Sequence, residues 1–236
     1  MTLLLLAGTG EARRLAHALA ELGTDCLIWP DPAARLPGGW PLPTCSGELS
    51  DCIERHNVSA VLDATHPFAS DISHSAANLC ATKGAPYCLL LRPEWRAQPG
   101  DRWTTVVSEA DAPAHIEAGS TVFLATGREG LIHFAGLKDC YIYCRQIGAT
   151  DAPFPLPNGE YLIQQPPFPV EEEVALFRRL GIDWLVLRNA GSTRADTKLT
   201  AAGQLGIRVL MIARPTPPKA PRVHSVDEAL AWVAAL

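Results

Sequence analysis

The first fourteen residues constrain the fold more than any other stretch, because a purely apolar segment runs directly into two closely spaced glycines. Residues 3–14 read LLLLAGTGEARR. An apolar run without polar alternation is typical of a strand covered on both faces, and Gly8 and Gly10 permit a tight turn into a helix. The N-terminus of that helix would present free N–H groups and the positive end of its dipole to an anion.

This pattern predicts a loop that holds the phosphates of a nucleotide. The pyrophosphate would lie against four consecutive residues: Gly8, Thr9, Gly10 and Glu11. The stretch is not the full dinucleotide-binding pattern, because Arg13 stands where a third glycine is expected. Arg13 or Arg14 would add positive charge there. The alternative is a plain strand–turn–helix connection of an α/β protein.

Strand-like and helix-like segments alternate along the rest of the chain, which predicts an α/β fold with two Rossmann-like parallel-sheet domains and a cleft between them. Residues 1–96 would form a dinucleotide-binding domain, and residues 97–236 a domain that completes the substrate cleft. The predicted hinge is a polar stretch with Pro-Gly at 96–104. Ligands of such sheets bind at the carboxyl ends of the strands.

Composition argues against several classes of partner. The net charge is −5, so no basic excess predicts binding to nucleic acid or to a membrane surface. The N-terminal apolar segment, about six residues, is too short for a signal peptide, and no segment is long enough to span a membrane. We therefore expect a cytoplasmic protein.

Seven cysteines are present, and none forms a C-x-x-C pair. Several lie in apolar, strand-like runs, as Cys26 and Cys88 do. We expect reduced, buried thiols and no metal site, although Cys140 and Cys144 would share one face of a strand.

The second informative stretch is DATHPFA at residues 63–69. A predicted strand ends on Asp63, and a hydroxyl, an imidazole, a proline and an aromatic ring follow. Pro67 fixes the turn and disfavours helix at His66. Two interpretations stay open. His66 takes part in catalysis, or Asp63 and Thr65 cap the next helix while His66 forms hydrogen bonds within its loop.

A series of short motifs, taken in order, resembles the precorrin-6A reductase family of cobalamin biosynthesis. The series consists of G-T-x-E-A-R at 8–13, DATHPFA, R-P-x-W at 92–95, T-G at 126–127, S-T at 192–193, K-L-x-A-A at 198–202, G-I at 206–207 and R-P at 214–215. DATHPFA is the most specific of these, and the resemblance spans nearly the whole chain. The late loop departs from the family's K-x-S-G-G pattern, since Arg188 replaces the lysine and one glycine is missing.

The resemblance implies an enzyme that reduces one carbon–carbon double bond of a tetrapyrrole with a reduced nicotinamide cofactor. Members of the aerobic pathway use NADPH and a metal-free macrocycle, and relatives in the anaerobic pathway use NADH and the cobalt complex. The residues alone leave the cofactor open, because Asp31 would favour NAD and Arg35 could meet a 2′-phosphate. The resemblance favours NADPH. The expected cofactor-binding residues are Gly8, Thr9, Gly10, Glu11, Arg13, Thr65, Thr126 and Gly127.

A polycarboxylate substrate needs cationic partners, and guanidinium groups bind carboxylates through paired hydrogen bonds. Phe68 and Trp95 could cover the face of the macrocycle. The expected substrate-binding residues are Phe68, Arg92, Trp95, Arg128, Arg145, Ser192 and Arg214, with Arg96, Arg188 and Arg194 nearby. The alternative is that about half of these cations are ordinary surface charges or salt-bridge partners.

Three residues are candidate proton donors: His66, Asp196 and Lys198. His66 titrates near neutral pH, and bound water is a further alternative. Two other functions stay open for the whole protein. One is a cofactor-free tetrapyrrole-modifying enzyme of two α/β lobes, and the other is a non-enzymatic nucleotide-binding sensor.

Overall fold

The computed structural model describes residues 1–33, 38–148, 150–192 and 196–236. The chain divides into two compact units. Met1–Pro93 and Pro215–Leu236 form the first, and Glu94–Arg214 forms the second. The C-terminal segment therefore belongs to the first unit, whereas the sequence analysis assigned it to the second domain.

The secondary structure alternates as expected. In chain order, the strands are β1 (Thr2–Ala7), β2 (Cys26–Pro30), β3 (Val58–Ala64), β4 (Tyr87–Leu90), β5 (Trp103–Val106), β6 (Thr121–Leu124), β7 (Tyr141–Gln146), β8 (Gly159–Ile163), β9 (Trp184–Arg188), β10 (Arg208–Ile212) and β11 (Arg222–Val223). The α-helices are α1 (Gly10–Glu21), α2 (Leu49–Arg55), α3 (Ser70–Lys83), α4 (Val170–Leu180), α5 (Thr197–Leu205) and α6 (Val226–Ala234). Two 3-10 helices span Glu109–His115 and Arg128–Phe134.

The first unit contains a parallel sheet in the order β11-β4-β3-β1-β2. Strand β1, which lies between β3 and β2, is buried on both faces. Leu3 and Leu5 pack into one hydrophobic cluster with α1, and Leu4 and Leu6 pack into another with α2 and α3. The prediction of a strand covered on both faces is confirmed, because an uninterrupted apolar run fits only such a position.

The second unit contains a parallel sheet in the order β5-β10-β9-β6-β7-β8. Phe123 on β6 and Phe177 on α4 meet edge to face in the core on one side of this sheet. The predicted α/β fold with two parallel sheets is confirmed.

Three local features differ from the expectation. The predicted hinge leads directly into the edge strand β5, whose Trp-Thr-Thr-Val sequence carries too little apolar signal to be recognised. The segment 110–118, for which the sequence predicts an α-helix, instead contains the 3-10 helix Glu109–His115, because Pro113 inside it cannot donate a backbone hydrogen bond. The C-terminal segment returns to the first sheet through β11, which pairs with β4, and α6 contributes Ala229 to the cluster around β1.

Two cysteines also depart from the expectation of reduced thiols. Cys45 and Cys52 form a disulfide that joins the loop after β2 to α2. Cys26, Cys80, Cys88, Cys140 and Cys144 are free and buried, as expected. Within the described ranges no helix is long and apolar enough to cross a membrane, and no group of three His, Cys, Asp or Glu residues could hold a metal ion.

Candidate functional site

Gly8 lies at the carboxyl end of β1, in a position that has no room for a side chain. A Cβ atom there would stand 3.0 Å from the backbone nitrogen of His66 and 3.2 Å from the Cα of Thr65. It would also stand 3.2 Å from Oδ2 of Asp31. The glycine loop is therefore in direct contact with the DATHPFA turn, so the two sequence motifs meet at one point of the first unit.

Thr9 and Gly10 differ in what they offer a ligand. The Thr9 side chain caps α1, since its hydroxyl accepts from the Ala12 N–H at 3.2 Å and donates to the Ala64 carbonyl at 2.8 Å. Both of these hydrogen bonds of the hydroxyl are made within the protein, where they fix the start of α1. A Cβ added to Gly10 would meet nothing within 4 Å, so space is open at the first residue of the helix.

Arg13, in the first turn of α1, retains donor capacity. Its Nη1 donates to the Gly39 carbonyl at 3.1 Å, and its guanidinium carbon lies 4.8 Å from the centre of the Trp40 ring. Its Nη2 is buried and has no hydrogen-bond partner within the described ranges. A buried donor without a partner is costly, and an anionic oxygen would satisfy it.

Glu11 and Arg92 form an ion pair with 2.6 Å between Oε2 and Nη1. Glu11 also contacts Arg14 at 3.1 Å. Burial lowers the pKa of Arg92, and the Glu11 carboxylate opposes that shift. The expected cofactor residue Glu11 and the expected substrate residue Arg92 therefore share one charge pair at the start of α1.

Asp31 lies beside the same loop, at the end of β2. It is buried, its N–H donates to the Ala7 carbonyl at 2.8 Å, and its Oδ1 accepts from the Ala33 N–H at 2.9 Å. Asp31, the carboxylate that would favour NAD over NADP, thus lies next to Gly8. Arg35, its predicted rival, lies outside the described residues.

The Thr65 side chain points into the first unit rather than to a ligand. Thr65 is 3% exposed, and both its N–H and its hydroxyl donate to Oδ1 of Asp63, at 2.9 and 2.7 Å. The Tyr87 hydroxyl donates to the other oxygen of Asp63 at 2.7 Å. Thr65, expected to bind the cofactor, thus bonds to Asp63, and Asp63 holds the strand end instead of capping α3.

His66 occupies the turn that Asp63 supports. Its Nδ1 accepts from the Phe68 N–H at 3.3 Å, and the centres of the two rings lie 5.9 Å apart. The expected hydrogen bond within the loop is present. A neutral ring that accepts at Nδ1 carries its proton on Nε2.

Lys198 is a buried amine near the start of α5 in the second unit. It is 9% exposed, and burial lowers its pKa to about 8, opposed by Glu173 and Asp196 and reinforced by Arg145. Asp196 precedes the helix, and its backbone carbonyl accepts from the N–H groups of Leu199 and Thr200. Two of the three candidate proton donors therefore lie together.

Arg145, expected to bind substrate, is held by side chains of the second unit. Its guanidinium forms a two-point ion pair with Glu173, in which Nη2 and Oε2 are 3.1 Å apart. Its Nε donates to Gln164, and the rings of Phe123 and Phe168 lie near the guanidinium carbon at 4.7 and 4.3 Å. Arg145 and Glu173 are 8% and 1% exposed, so neither faces solvent.

Trp95 and Arg214 are both fixed by Asn189, at the carboxyl end of β9. The Trp95 N–H donates to the Asn189 side chain at 2.9 Å, and that side chain donates back to the Trp95 carbonyl at 3.1 Å. Arg214 Nε donates to the Asn189 backbone carbonyl at 2.6 Å, and its side chain is 6% exposed. Ser192 follows the same strand and is partly buried, whereas Arg194 lies outside the described residues.

Thr126, Gly127 and Arg128 follow β6 in the second unit. Thr126 is buried, and its hydroxyl has no hydrogen-bond partner in the described part of the chain. Gly127 adopts a φ of 82°, which favours glycine, and Arg128 is exposed. Nearby, Glu109 accepts from Arg188 Nε at 2.7 Å.

Sequence reasoning missed the residues that hold these candidates in place, which are Tyr87, Glu109, Glu173 and Asn189. Glu173 stands within three consecutive glutamates, a pattern typical of an exposed helix start. Tyr87 offered a signal, because it is the one residue of β4 with a polar side-chain group that needs a partner when buried.

Comparison with known proteins places this geometry in context. Residues 2–234 match the family model described as Precorrin-6x reductase CbiJ/CobK. The Precorrin-6A reductase of Rhodococcus erythropolis is 40% identical, over 99% of this chain and 98% of that protein. That of Rhodobacter capsulatus is 37% identical, over 98% and 95%.

A solved structure described as CobK precorrin-6A reductase is also similar. Its TM-score is 0.91 at 37% identity, and the match covers 100% of this chain and 96% of that one. The similarity therefore extends across both units.

Proposed function

The chain belongs to the Precorrin-6x reductase CbiJ/CobK family, and we propose that it reduces one carbon–carbon double bond of precorrin-6A with NADPH, giving precorrin-6B in cobalamin biosynthesis. The observation that carries the cofactor part is local to the first unit. The N-terminus of α1 has open space at Gly10, and Arg13 in its first turn has a buried Nη2 without a hydrogen-bond partner among the described residues.

These residues fit a dinucleotide phosphate. The α1 N-terminus offers backbone N–H groups and a positive dipole end, and Gly10 lets an anion approach the backbone. Arg13 Nη2 would donate to a phosphate oxygen. Glu11 opposes a phosphate by its charge, but its pairing with Arg92 reduces that effect.

The preference for NADPH is the finer part of the proposal. Asp31 is held beside Gly8 and would accept from a ribose hydroxyl, which favours NAD in related folds. The resemblance to the aerobic-pathway members of the family, which implies NADPH, favours NADPH here. We expect NADPH to bind more tightly than NADH at fixed salt, and equal dissociation constants would contradict this preference.

The substrate's carboxylates would bind to exposed arginines of the second unit. Arg128 and Arg96 are exposed, so both can take a carboxylate without breaking a buried pair. The Arg214 side chain is buried, and its Nε donates to the Asn189 carbonyl. Its whole guanidinium is therefore not available to a carboxylate of the substrate. Phe68 and Trp95 remain candidates to cover the ring face.

Two groups are suited to deliver the proton. His66 carries it on Nε2 when neutral, and Lys198 holds it on a buried amine. A reduced nicotinamide supplies the hydride when bound. We favour His66 over Lys198 because its turn contacts the glycine loop. The bond at its Nδ1 also leaves the proton of the neutral ring on Nε2.

The pH dependence of turnover separates the two donors. If His66 is the acid, His66→Gln lowers turnover at every pH. If Lys198 is the acid, the fall occurs near pH 8, where burial places its pKa, and Lys198→Met abolishes it. Full turnover by both variants would leave bound water as the donor.

The direct test is incubation with precorrin-6A and NADPH while the nicotinamide absorbance is followed. We expect its loss with formation of a product that carries two more hydrogens. A protein that binds tetrapyrrole but gains no thermal protection from NADPH would be a cofactor-free tetrapyrrole-modifying enzyme. One that gains protection from NADPH but reduces nothing would be a sensor.

The location of the cofactor has its own test. Gly10→Ala leaves the folded protein intact, because the added Cβ meets nothing within 4 Å. We expect it to weaken NADPH binding, since that methyl group would occupy the path of the pyrophosphate. Gly136→Ala, at a second open glycine, is the matched control and should bind NADPH normally. Unchanged affinity in Gly10→Ala would place the phosphates elsewhere.

A further inference from the structure

We propose that Tyr87 and Asp63 are positioning residues for His66, holding its turn against the glycine loop so that Nε2 carries the proton. This inference rests on the proposed function, in which His66 acts as the acid. It concerns two residues that do not contact the reacting atoms, and it follows from the hydrogen bonds of the first unit.

The Asp63 carboxylate is fully buried and holds three donors. Oδ1 accepts from the N–H and the hydroxyl of Thr65, and Oδ2 accepts from the Tyr87 hydroxyl. A buried carboxylate is tolerated when such donors surround it. Through Asp63, these contacts connect Thr65, the residue before His66, to Tyr87 at the start of β4.

The Tyr87 hydroxyl is a dependable donor in this network. Burial raises the pKa of Tyr87, and the Asp63 charge raises it further, so the hydroxyl stays protonated throughout the range in which the protein would work. The hydroxyl of Ser73 on α3 lies 3.3 Å from that of Thr65 and closes the cluster on its other side. Asp63 therefore has one fixed orientation.

His66 has little freedom once Thr65 is fixed. Its backbone nitrogen lies 3.0 Å from the position that a Gly8 Cβ would take, so the turn already touches the glycine loop. Pro67 restricts the backbone on the other side. The bond from the Phe68 N–H to Nδ1 then determines which ring nitrogen bears the proton. A shift of Thr65 would move the ring and loosen this bond.

The experiment is Tyr87→Phe in the full-length protein, which removes one hydroxyl and keeps the ring. Tyr143→Phe in the second unit is the matched control. The first readout is the ¹⁵N NMR spectrum of the imidazoles, with the His66 signals identified by their loss in His66→Gln. We expect the Nδ1 and Nε2 shifts of His66 to move toward a mixture of tautomers in Tyr87→Phe and to stay unchanged in Tyr143→Phe.

The second readout is kinetic. Tyr87→Phe should lower kcat for precorrin-6A about tenfold or more, since misplacement of a catalytic group by a fraction of an ångström is costly. The KM for NADPH should stay unchanged, which a general loss of structure would not give. Wild-type His66 shifts in folded Tyr87→Phe would overturn the proposal, and so would wild-type kcat.

Two further variants keep the test decisive if Tyr87→Phe does not fold. Thr65→Val removes the hydroxyl bond to Asp63 and should move the His66 shifts in the same direction. Asp63→Asn keeps an oxygen for Thr65 but places an amide donor opposite the Tyr87 hydroxyl, so it should also move the His66 shifts. Unmoved shifts in either variant would refute the positioning role. Because the NMR readout needs no turnover, its result stays separate from failure of the proposed reduction.

Discussion

Glu11 and Arg92 are joined by an ion pair of 2.6 Å that links the first turn of α1 to the segment after β4. Both side chains are mostly buried, at 18% and 13% exposure. Glu11→Gln would replace the carboxylate in this pair by a neutral amide, and we expect the free energy of unfolding to fall by about 1–3 kcal/mol. Denaturant unfolding measures this loss.

The control for that prediction lies on the same helix. Glu21 is exposed at the end of α1, so Glu21→Gln should change the free energy of unfolding by less than about 0.5 kcal/mol. Equal stability of Glu11→Gln and Glu21→Gln would show that the pair contributes nothing to the fold.

Gly8→Ala should destabilise the first unit. The new methyl group would lie 3.0 Å from a backbone nitrogen that belongs to the DATHPFA turn and cannot rotate away. Overpacking of this kind costs about 1–3 kcal/mol. Gly10→Ala is the comparison, because its methyl group meets open space, and it should not lower the melting temperature. A Gly8→Ala protein as stable as wild type would mean that the turn and the loop are not in contact.

Glu173→Gln should be among the most destabilising single substitutions in the second unit. It leaves the buried Arg145 charge without its counter-ion, and removal of one partner of such a pair costs about 3–5 kcal/mol. Glu172 is the exposed neighbour, so Glu172→Gln should unfold at the wild-type denaturant midpoint. Similar midpoints for both variants would rule out the buried pair.

Lys198 predicts a pH dependence of stability in the alkaline range. Burial lowers its pKa in the folded protein to about 8 from 10.5, so between these values the unfolded state binds more protons. Stability from this group therefore rises as the pH increases from about 8 to about 10.5. Lys198→Met should remove that rise, whereas Lys138→Met, at an exposed position, should keep it. Identical pH profiles for Lys198→Met and wild type would contradict the lowered pKa.

The Cys45–Cys52 disulfide predicts the number of free thiols. Alkylation of the unfolded, unreduced protein should modify five cysteines, and alkylation after reduction should modify seven. Mass spectrometry gives both numbers directly. Seven modified thiols without reductant would show that the bond does not form, and Cys45→Ser would then leave stability unchanged.

The sequence predicts the features that follow from apolar runs and from the backbone preferences of glycine and proline. The buried strand β1, the turn at Gly8 and the strand before DATHPFA follow from apolar runs, glycine and proline, each of which has a local physical cause. The hydrogen bond within the His66 loop corresponds to one of the two interpretations that the sequence leaves open for His66.

Long-range partners could not be predicted in this way. Arg145 was expected at a substrate because nothing local indicates that Glu173 would be buried against it. Thr65 was assigned to a cofactor because its bond to Asp63 depends on how the strand end turns, and the matching donor, Tyr87, lies on another strand. The return of the C-terminal segment was missed because β11 spans only Arg222–Val223.

That return affects the order in which the protein can fold during synthesis. The second unit is a continuous stretch of chain, so it can fold as soon as residue 214 has left the ribosome. The N-terminal sheet, although translated first, must wait for the last residues of the chain before its edge strand β11 and the helix α6 are in place. A chain truncated after residue 214 would therefore contain the complete second unit and an incomplete first one.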